Sequence, residues 1–224
     1  MLPSDAPWPR HRLVRVAPVA WAALIASRAD LAAEPLLEGW ARLGWPLIVR
    51  RRMPGEPAAA PSWLPLGLPL PPSAGKRRIA LQVKCEAVVS VSPLPGLGEL
   101  IASAPRAWQP TLQQLLAVGN GFGAQSQVFG SLAWQWLTGL AYLAPGSDID
   151  LVWTLPREAR IDEFLAALAD IDAAAPMRID GELVRADGSG VNWRELHARS
   201  AEVMLKTAGE PLLCGREAFL EALG

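Results

Sequence analysis

The chain has 224 residues, 51% of them hydrophobic and 19% charged. That balance excludes a disordered chain and suits one large domain or two small ones. The net charge of −1 argues against a global electrostatic grip on nucleic acid, whose binders are strongly basic. Cys85 and Cys214 form no Cys-x-x-Cys pair, and only His11 and His197 could join them. A disulfide framework, a structural zinc site and a His-rich metal site are therefore not expected, and a reducing compartment, the cytoplasm, fits.

In chain order, Arg10, Arg12 and Arg15 precede an apolar stretch at residues 16–27, an order that imitates a secretory signal. Asp5, three prolines among the leading ten residues and Pro18 within the stretch favour instead a strand at 13–16 and a helix at about 19–26. No apolar run approaches membrane-spanning length. Residues 46–50 read as a strand entering Arg50-Arg51-Arg52. Residues 54–75, rich in Pro, Ala and Gly, read as an extended loop, because proline removes backbone donors. Ile79, Leu81 and Val83 alternate with polar or small residues in the period of a half-buried strand, and Val88, Val89 and Val91 continue β-rich sequence. Pro93, Pro95, Pro105 and Pro110 mark a boundary between domains at 1–95 and 105–224.

Beyond the boundary, helix and strand alternate. Residues 108–118 read as a helix and 127–129 as a short strand. Leu132, Trp136, Leu137 and Leu140 have helical spacing. Residues 149–153 read as a strand, and Ile161, Phe164, Leu165 and Leu168 share one helix face. Residues 177–180 and 183–185 read as strands paired across Gly181-Glu182. The expected class is α+β, with a mixed sheet flanked by helices following a smaller β-rich N-terminal domain. The cysteines read as buried small hydrophobes. The histidines read as structural or exposed.

One constellation carries chemistry: Phe129-Gly130-Ser131, a helix, then Asp148-Ile149-Asp150-Leu151. Residues i and i+2 of a strand share a face, so Asp148 and Asp150 project together while Ile149 and Leu151 face the core. Two adjacent carboxylates repel, and a divalent cation such as Mg²⁺, which prefers carboxylate and phosphate oxygens, removes that cost. Gly130-Ser131 sits where a strand gives way to a helix, whose free N–H groups suit a phosphate. A carboxylate pair beside a phosphate cradle is what phosphoryl or nucleotidyl transfer requires. Asp180 is the expected third carboxylate, ligating a second metal or deprotonating the attacking hydroxyl, with Glu182 as its competitor.

The Gly-Ser and Asp-x-Asp motifs resemble those of the nucleotidyltransferase superfamily that includes DNA polymerase beta and antibiotic-modifying nucleotidyltransferases. The likeness implies a nucleotidyltransferase-like C-terminal domain. Sixteen residues separate Ser131 from Asp148, more than is usual there, and an extra helical turn or loop would absorb them.

Two basic clusters, Arg50-Arg51-Arg52 and Lys76-Arg77-Arg78, flank the proline-rich segment. Arginine offers a planar fork matched to phosphate. Three stretches, Gly44-Trp45-Pro46-Leu47-Ile48-Val49-Arg50-Arg51, residues 66–81 and Val128-Phe129-Gly130-Ser131-Leu132-Ala133-Trp134-Gln135, resemble a narrower family, as do Asp148-Ile149-Asp150-Leu151 and Asn192-Trp193-Arg194-Glu195-Leu196. It is the malonate decarboxylase holo-acyl-carrier-protein synthases, or phosphoribosyl-dephospho-CoA transferases, and the resemblance spans nearly the whole chain. It implies transfer of a prosthetic group from 2′-(5″-triphosphoribosyl)-3′-dephospho-CoA to a serine of the apo acyl carrier protein subunit of malonate decarboxylase, with release of diphosphate. Asp148, Asp150 and Asp180 would then hold Mg²⁺, and Gly130 and Ser131 would bind the diphosphate portion. Arg50, Arg51, Lys76, Arg77, Arg78 and Lys206 would bind donor phosphates or the carrier. The motif alone equally admits a nucleotidyltransferase acting on a small molecule or RNA.

Overall fold

The computed structural model describes residues 9–31, 33–53, 56, 63–157 and 159–223. It divides into two compact units, Met1–Pro93 and Leu94–Gly224, and the fold is α+β, as the composition and patterning implied. Among the described residues no helix is long and apolar enough to cross a membrane.

The N-terminal unit runs β1 (Leu13–Val16), α1 (Pro18–Ala26), α2 (Pro35–Gly39), β2 (Leu47–Val49), β3 (Trp63–Pro69), β4 (Arg78–Lys84) and β5 (Val88–Ser92). Its five strands form one antiparallel sheet in the order β4-β3-β2-β1-β5. The signal-like stretch joins this unit at one edge: Val16, which ends β1, and Trp21 of α1 are buried, whereas Val19 is exposed. Two tryptophans serve as core side chains with satisfied N–H groups, Trp21 donating to Leu37 O (2.6 Å) and Trp40 to Pro46 O (3.0 Å). Such pairing lets a large ring be buried without orphaning its polar atom.

Here the reading of residues 54–75 as a loop is corrected. Its second half contains β3, an interior strand paired with β4 over seven positions from Trp63↔Lys84 to Pro69↔Arg78. The prolines are tolerated for a local reason. Leu70 N turns to β4, donating to Arg77 O (2.8 Å), whereas Pro65 turns the other way and accepts from Arg50 N (3.1 Å). By the two-residue period Pro69 faces that same side. The strand there, β2, has three residues and pairs with β3 at Gly67 and Leu66, so both prolines lie outside the paired stretch, where a missing N–H costs least. The alternation Leu64, Leu66, Leu68 and Leu70, all buried, is the strand signal that proline content obscures.

The C-terminal unit runs α3 (Leu97–Leu100), α4 (Gln109–Gly121), β6 (Gln125–Phe129), α5 (Gly130–Thr138), β7 (Ile149–Thr154), α6 (Ile161–Ala174), β8 (Ile179–Val184), β9 (Gly190–Asn192), α7 (Trp193–His197), β10 (Glu202–Leu205), β11 (Leu212–Gly215) and α8 (Arg216–Glu221). A four-stranded sheet has the order β6-β7-β8-β9, and β10 and β11 form a separate hairpin. The β7–β8 pair is parallel and its flanking pairs antiparallel. A parallel pair needs a crossover, and α6 supplies it, burying Phe164, Leu165 and Leu168. The Phe164 ring meets Trp153 edge-on, centroids 5.8 Å apart, and each such buried ring contributes about 2 kcal/mol of apolar transfer.

Three further expectations change. Residues 177–185 hold no hairpin, because β8 runs straight through Gly181-Glu182. Gly181 serves close packing: a Cβ there would lie 2.5 Å from both Leu151 O and a Trp153 ring carbon. In α5 the buried face is Leu132, Ala133, Trp134 and Thr138, while Trp136 is exposed and Leu140 follows the left-handed C-cap Gly139. Cys85 and Cys214 are half-buried rather than buried.

Candidate active site

The site is built where β6, β7 and β8 lie side by side. Ile149 and Leu151 are fully buried, so the strand period turns Asp148 and Asp150 to the opposite face, where both are half-buried. Asp148 is delivered by a tight turn: Ser147 N donates to Ala144 O, and Ala144 N to Ser147 Oγ, each at 3.0 Å. Gly146, at φ +80°, provides the left-handed residue in that turn. The long Ser131–Asp148 gap is absorbed by this loop rather than by another helical turn. Gln135 Oε1 ties it down by accepting from Tyr142 N and Leu143 N, both at 3.2 Å.

Register then adds the third acid. Asp150 is the Cα partner of Asp180 across the parallel pair. One carboxylate oxygen from each of Asp148, Asp150 and Asp180 lies within 4.8 Å of the other two, and all three residues are half-buried. The cluster is one that could hold a metal ion: hard oxygen donors, charge repulsion to relieve, and space left beside a helix start.

On its other side Asp150 is the Cα partner of Phe129, so the chain enters α5 directly over its carboxylate. Gly130 has φ +67°, and a Cβ there would sit 1.7 Å from Asp150 Oδ2 and 2.5 Å from its Cγ. Glycine is demanded twice, by conformation and by space. Ser131 follows in the first turn, and the N-cap residue Phe129 supplies no side-chain cap.

Asp180 Oδ1 accepts from Gly181 N (2.9 Å) and Asn192 Nδ2 (2.8 Å). Glu182, two residues on, is buried and takes Lys206 Nζ on its Oε1 at 2.8 Å. The sequence left Asp180 and Glu182 as competitors; the acid that clusters with the Asp-x-Asp pair is Asp180. Lys206 meets a carboxylate, and its backbone bonds in both directions with Gly190 (2.8 and 2.9 Å). Beside Asp148 opens a cavity of about 530 Å³ whose lining includes Trp108, Leu143, Ser147, Met177 and Arg178.

The other basic residues named from sequence belong to the N-terminal unit. Arg50 grips both oxygens of Glu56 and also donates to Leu66 O (3.1 Å). That pairing, led by the hydrogen bond from Arg50, holds the Glu56 carboxyl below its ordinary range. Arg51 is exposed. Lys76 sits at φ +51°, Arg77 pairs with Glu34 (2.6 Å), and Arg78 opens β4 exposed.

Sequence reading gave no role to Asp172, Asn192 or Arg194. Asn192 caps α7 by accepting from Arg194 N (2.9 Å). The Arg194 guanidinium stacks on Trp193 at 4.5 Å and donates to Asp172 Oδ1 (2.7 Å) and Ile179 O (2.9 Å). Burial works to raise the Asp172 carboxyl, but Arg194 and the Ile179 N–H outweigh it and hold it below the ordinary range. An Asn directly before Trp193 and Leu196, an apolar pair at helical spacing, was the sequence signal for the cap.

The family model for the phosphoribosyl-dephospho-CoA transferase MdcG N-terminal domain matches residues 9–93, and that for the MdcG C-terminal domain matches 96–217. A relative from Bradyrhizobium diazoefficiens, named phosphoribosyl-dephospho-CoA transferase, is 45% identical over 217 residues, 97% of this chain and 94% of its own. Relatives of the same name from Xanthomonas campestris pv. campestris strain 8004 and Pseudomonas aeruginosa are 39% and 29% identical, covering 78% and 77% of this chain and 80% and 79% of theirs. No solved structure matches significantly. With both family models together spanning nearly its whole length, this chain belongs to the phosphoribosyl-dephospho-CoA transferase family of enzymes.

Proposed function

We propose that this chain attaches the phosphoribosyl-dephospho-CoA group of 2′-(5″-triphosphoribosyl)-3′-dephospho-CoA to a serine of an apo acyl carrier protein, the carrier subunit of malonate decarboxylase, and releases diphosphate. The observation that carries this reading is the convergence of Asp148, Asp150 and Asp180 within 4.8 Å, next to a helix start where Gly130 leaves no side chain over Asp150. Family membership supports the identity of the transferred group.

In balanced form, the serine oxygen bonds to the α-phosphorus, the bond to the β-phosphate oxygen breaks, diphosphate leaves with that electron pair, and the serine proton passes to a base. Asp148, Asp150 and Asp180 fit a divalent cation and would hold Mg²⁺. When bound, Mg²⁺ neutralises triphosphate charge and favours alignment of the attacking and leaving oxygens. The first turn of α5 offers N–H groups, and Ser131 a hydroxyl, to the diphosphate portion. Asp180 either completes the metal site or takes the serine proton. The exposed basic residues Arg51, Lys76 and Arg78 suit donor phosphates or an acidic carrier surface. Lys206 neutralises Glu182 at the edge of the site. The family assignment and the cysteine usage fit a cytoplasmic enzyme.

Incubation with donor, Mg²⁺ and apo carrier, read by intact mass, should add one prosthetic group to the carrier. Neither Asp148→Asn nor Asp150→Asn should do so. Nucleotidyl transfer to a small alcohol, with none to a carrier serine, would replace this reading by a transferase with a different acceptor.

A further inference from the structure

We infer that Asn192 is the positioning residue of the metal site, aiming Asp180 by occupying one of its oxygens; this rests on the metal-binding reading above. Asn192 ends β9 opposite Glu182. Asp180 is therefore its diagonal neighbour across an antiparallel pair, a separation that a side-chain amide spans. Its Nδ2 donates to Asp180 Oδ1 (2.8 Å), which also accepts from Gly181 N (2.9 Å). With Oδ1 held by two N–H groups, Oδ2 is the oxygen left to ligate a cation.

The amide cannot reverse its role. Its Oδ1 accepts from Arg194 N at 2.9 Å. A flipped amide would set NH₂ against that N–H and oxygen against the carboxylate. Its mount is also fixed, because Arg194 and Trp193 Nε1 both donate to Ile179 O, at 2.9 and 3.2 Å. The residue before Asp180 and the residue after Asn192 are thus tied together. Groups that orient a metal ligand in this way typically change metal affinity ten- to a hundredfold when removed. In the motif Asn192-Trp193-Arg194, then, the asparagine sets the ligand, and the tryptophan and arginine hold the asparagine.

The test uses the full chain with Mn²⁺ alone as probe, free ion being read by electron paramagnetic resonance. Asn192→Ser keeps a good helix cap but ends too short to reach Asp180. Its metal-free thermal midpoint should fall by no more than a few degrees, the loss of one hydrogen bond, while its Mn²⁺ half-saturation concentration rises roughly tenfold or more. Asp180→Asn is the reference for loss of the ligand. If Asp180→Asn weakens Mn²⁺ binding and Asn192→Ser does not, the positioning role is overturned and the metal site stands. If Asp180→Asn binds Mn²⁺ like the parent, the metal assignment falls and Asn192's role falls with it.

Discussion

The two sheets handle charge in opposite ways. In the antiparallel N-terminal sheet, cations near the strands find local acids: Arg50 takes Glu56 and Arg77 takes Glu34. In the C-terminal sheet the parallel pair, β7–β8, sets equal positions side by side, so Asp150 and Asp180 fall level and Asp148 joins them. Like charges directly opposite destabilise a sheet. Three kept together could hold a positive ligand, whereas the N-terminal pairs serve the fold itself.

The largest expected effect cuts through that contrast. Asp148→Asn and Asp150→Asn should each lower carrier modification by roughly 10³-fold, the equivalent of about 4 kcal/mol of lost electrostatic stabilisation. In the absence of metal, their thermal midpoints should equal or exceed the parent's, because repulsion is relieved. A clear drop in midpoint would place these acids with the structural pairs instead.

Gly130→Ala comes next. Its Cβ would overlap the Asp150 carboxylate, and its left-handed backbone costs about 1–2 kcal/mol. A displaced carboxylate should reduce turnover by roughly 10²-fold, measured by the same mass assay, with a modest fall in thermal midpoint.

Lys206→Met tests the paired acid beside the acidic trio. It removes the Lys206 partner of Glu182, whose side chain is 6% exposed. Lys206 itself is 40% exposed, so solvent tempers the loss to about 2 kcal/mol. That is a fall of about 5 °C in thermal unfolding. Adding Glu182→Gln should recover most of it.

The smallest effect is the dependence on acid. The folded Asp172 carboxyl lies below its ordinary range, so it contributes stability above about pH 4, and that contribution disappears as pH falls through the folded value. Asp172→Asn should flatten this part of the acid-unfolding curve, by on the order of 1 kcal/mol.

Sequence and structure part company at identifiable residues. The β1 and β4 strands, the core face of α6 and the Asp-x-Asp strand follow from local periodicity. The β3 strand did not, since proline is a cue to non-pairing and the shortness of β2, which removes the penalty, is a property of a neighbour. Gly181 imitates a hairpin turn because sequence cannot distinguish a glycine needed for conformation from one needed for a Trp153 ring. The choice of Asp180 over Glu182 was reachable only as a preference. Both lie on one face of one strand, and what separates them is the register with β7 and the presence of Lys206. Asn192 was visible as part of a motif, but its contact with Asp180 depends on the β8–β9 pairing.

The missing side chain at Gly130 reaches beyond this one chain. Helix start and acidic strand are in such close contact there that nineteen of the twenty amino acids are ruled out unless one of the two moves. A family member carrying anything larger at the equivalent position would have to shift the acidic strand or the helix start to make room. The residue at that single position therefore reports whether helix start and acidic strand keep this spacing in other chains of the same architecture.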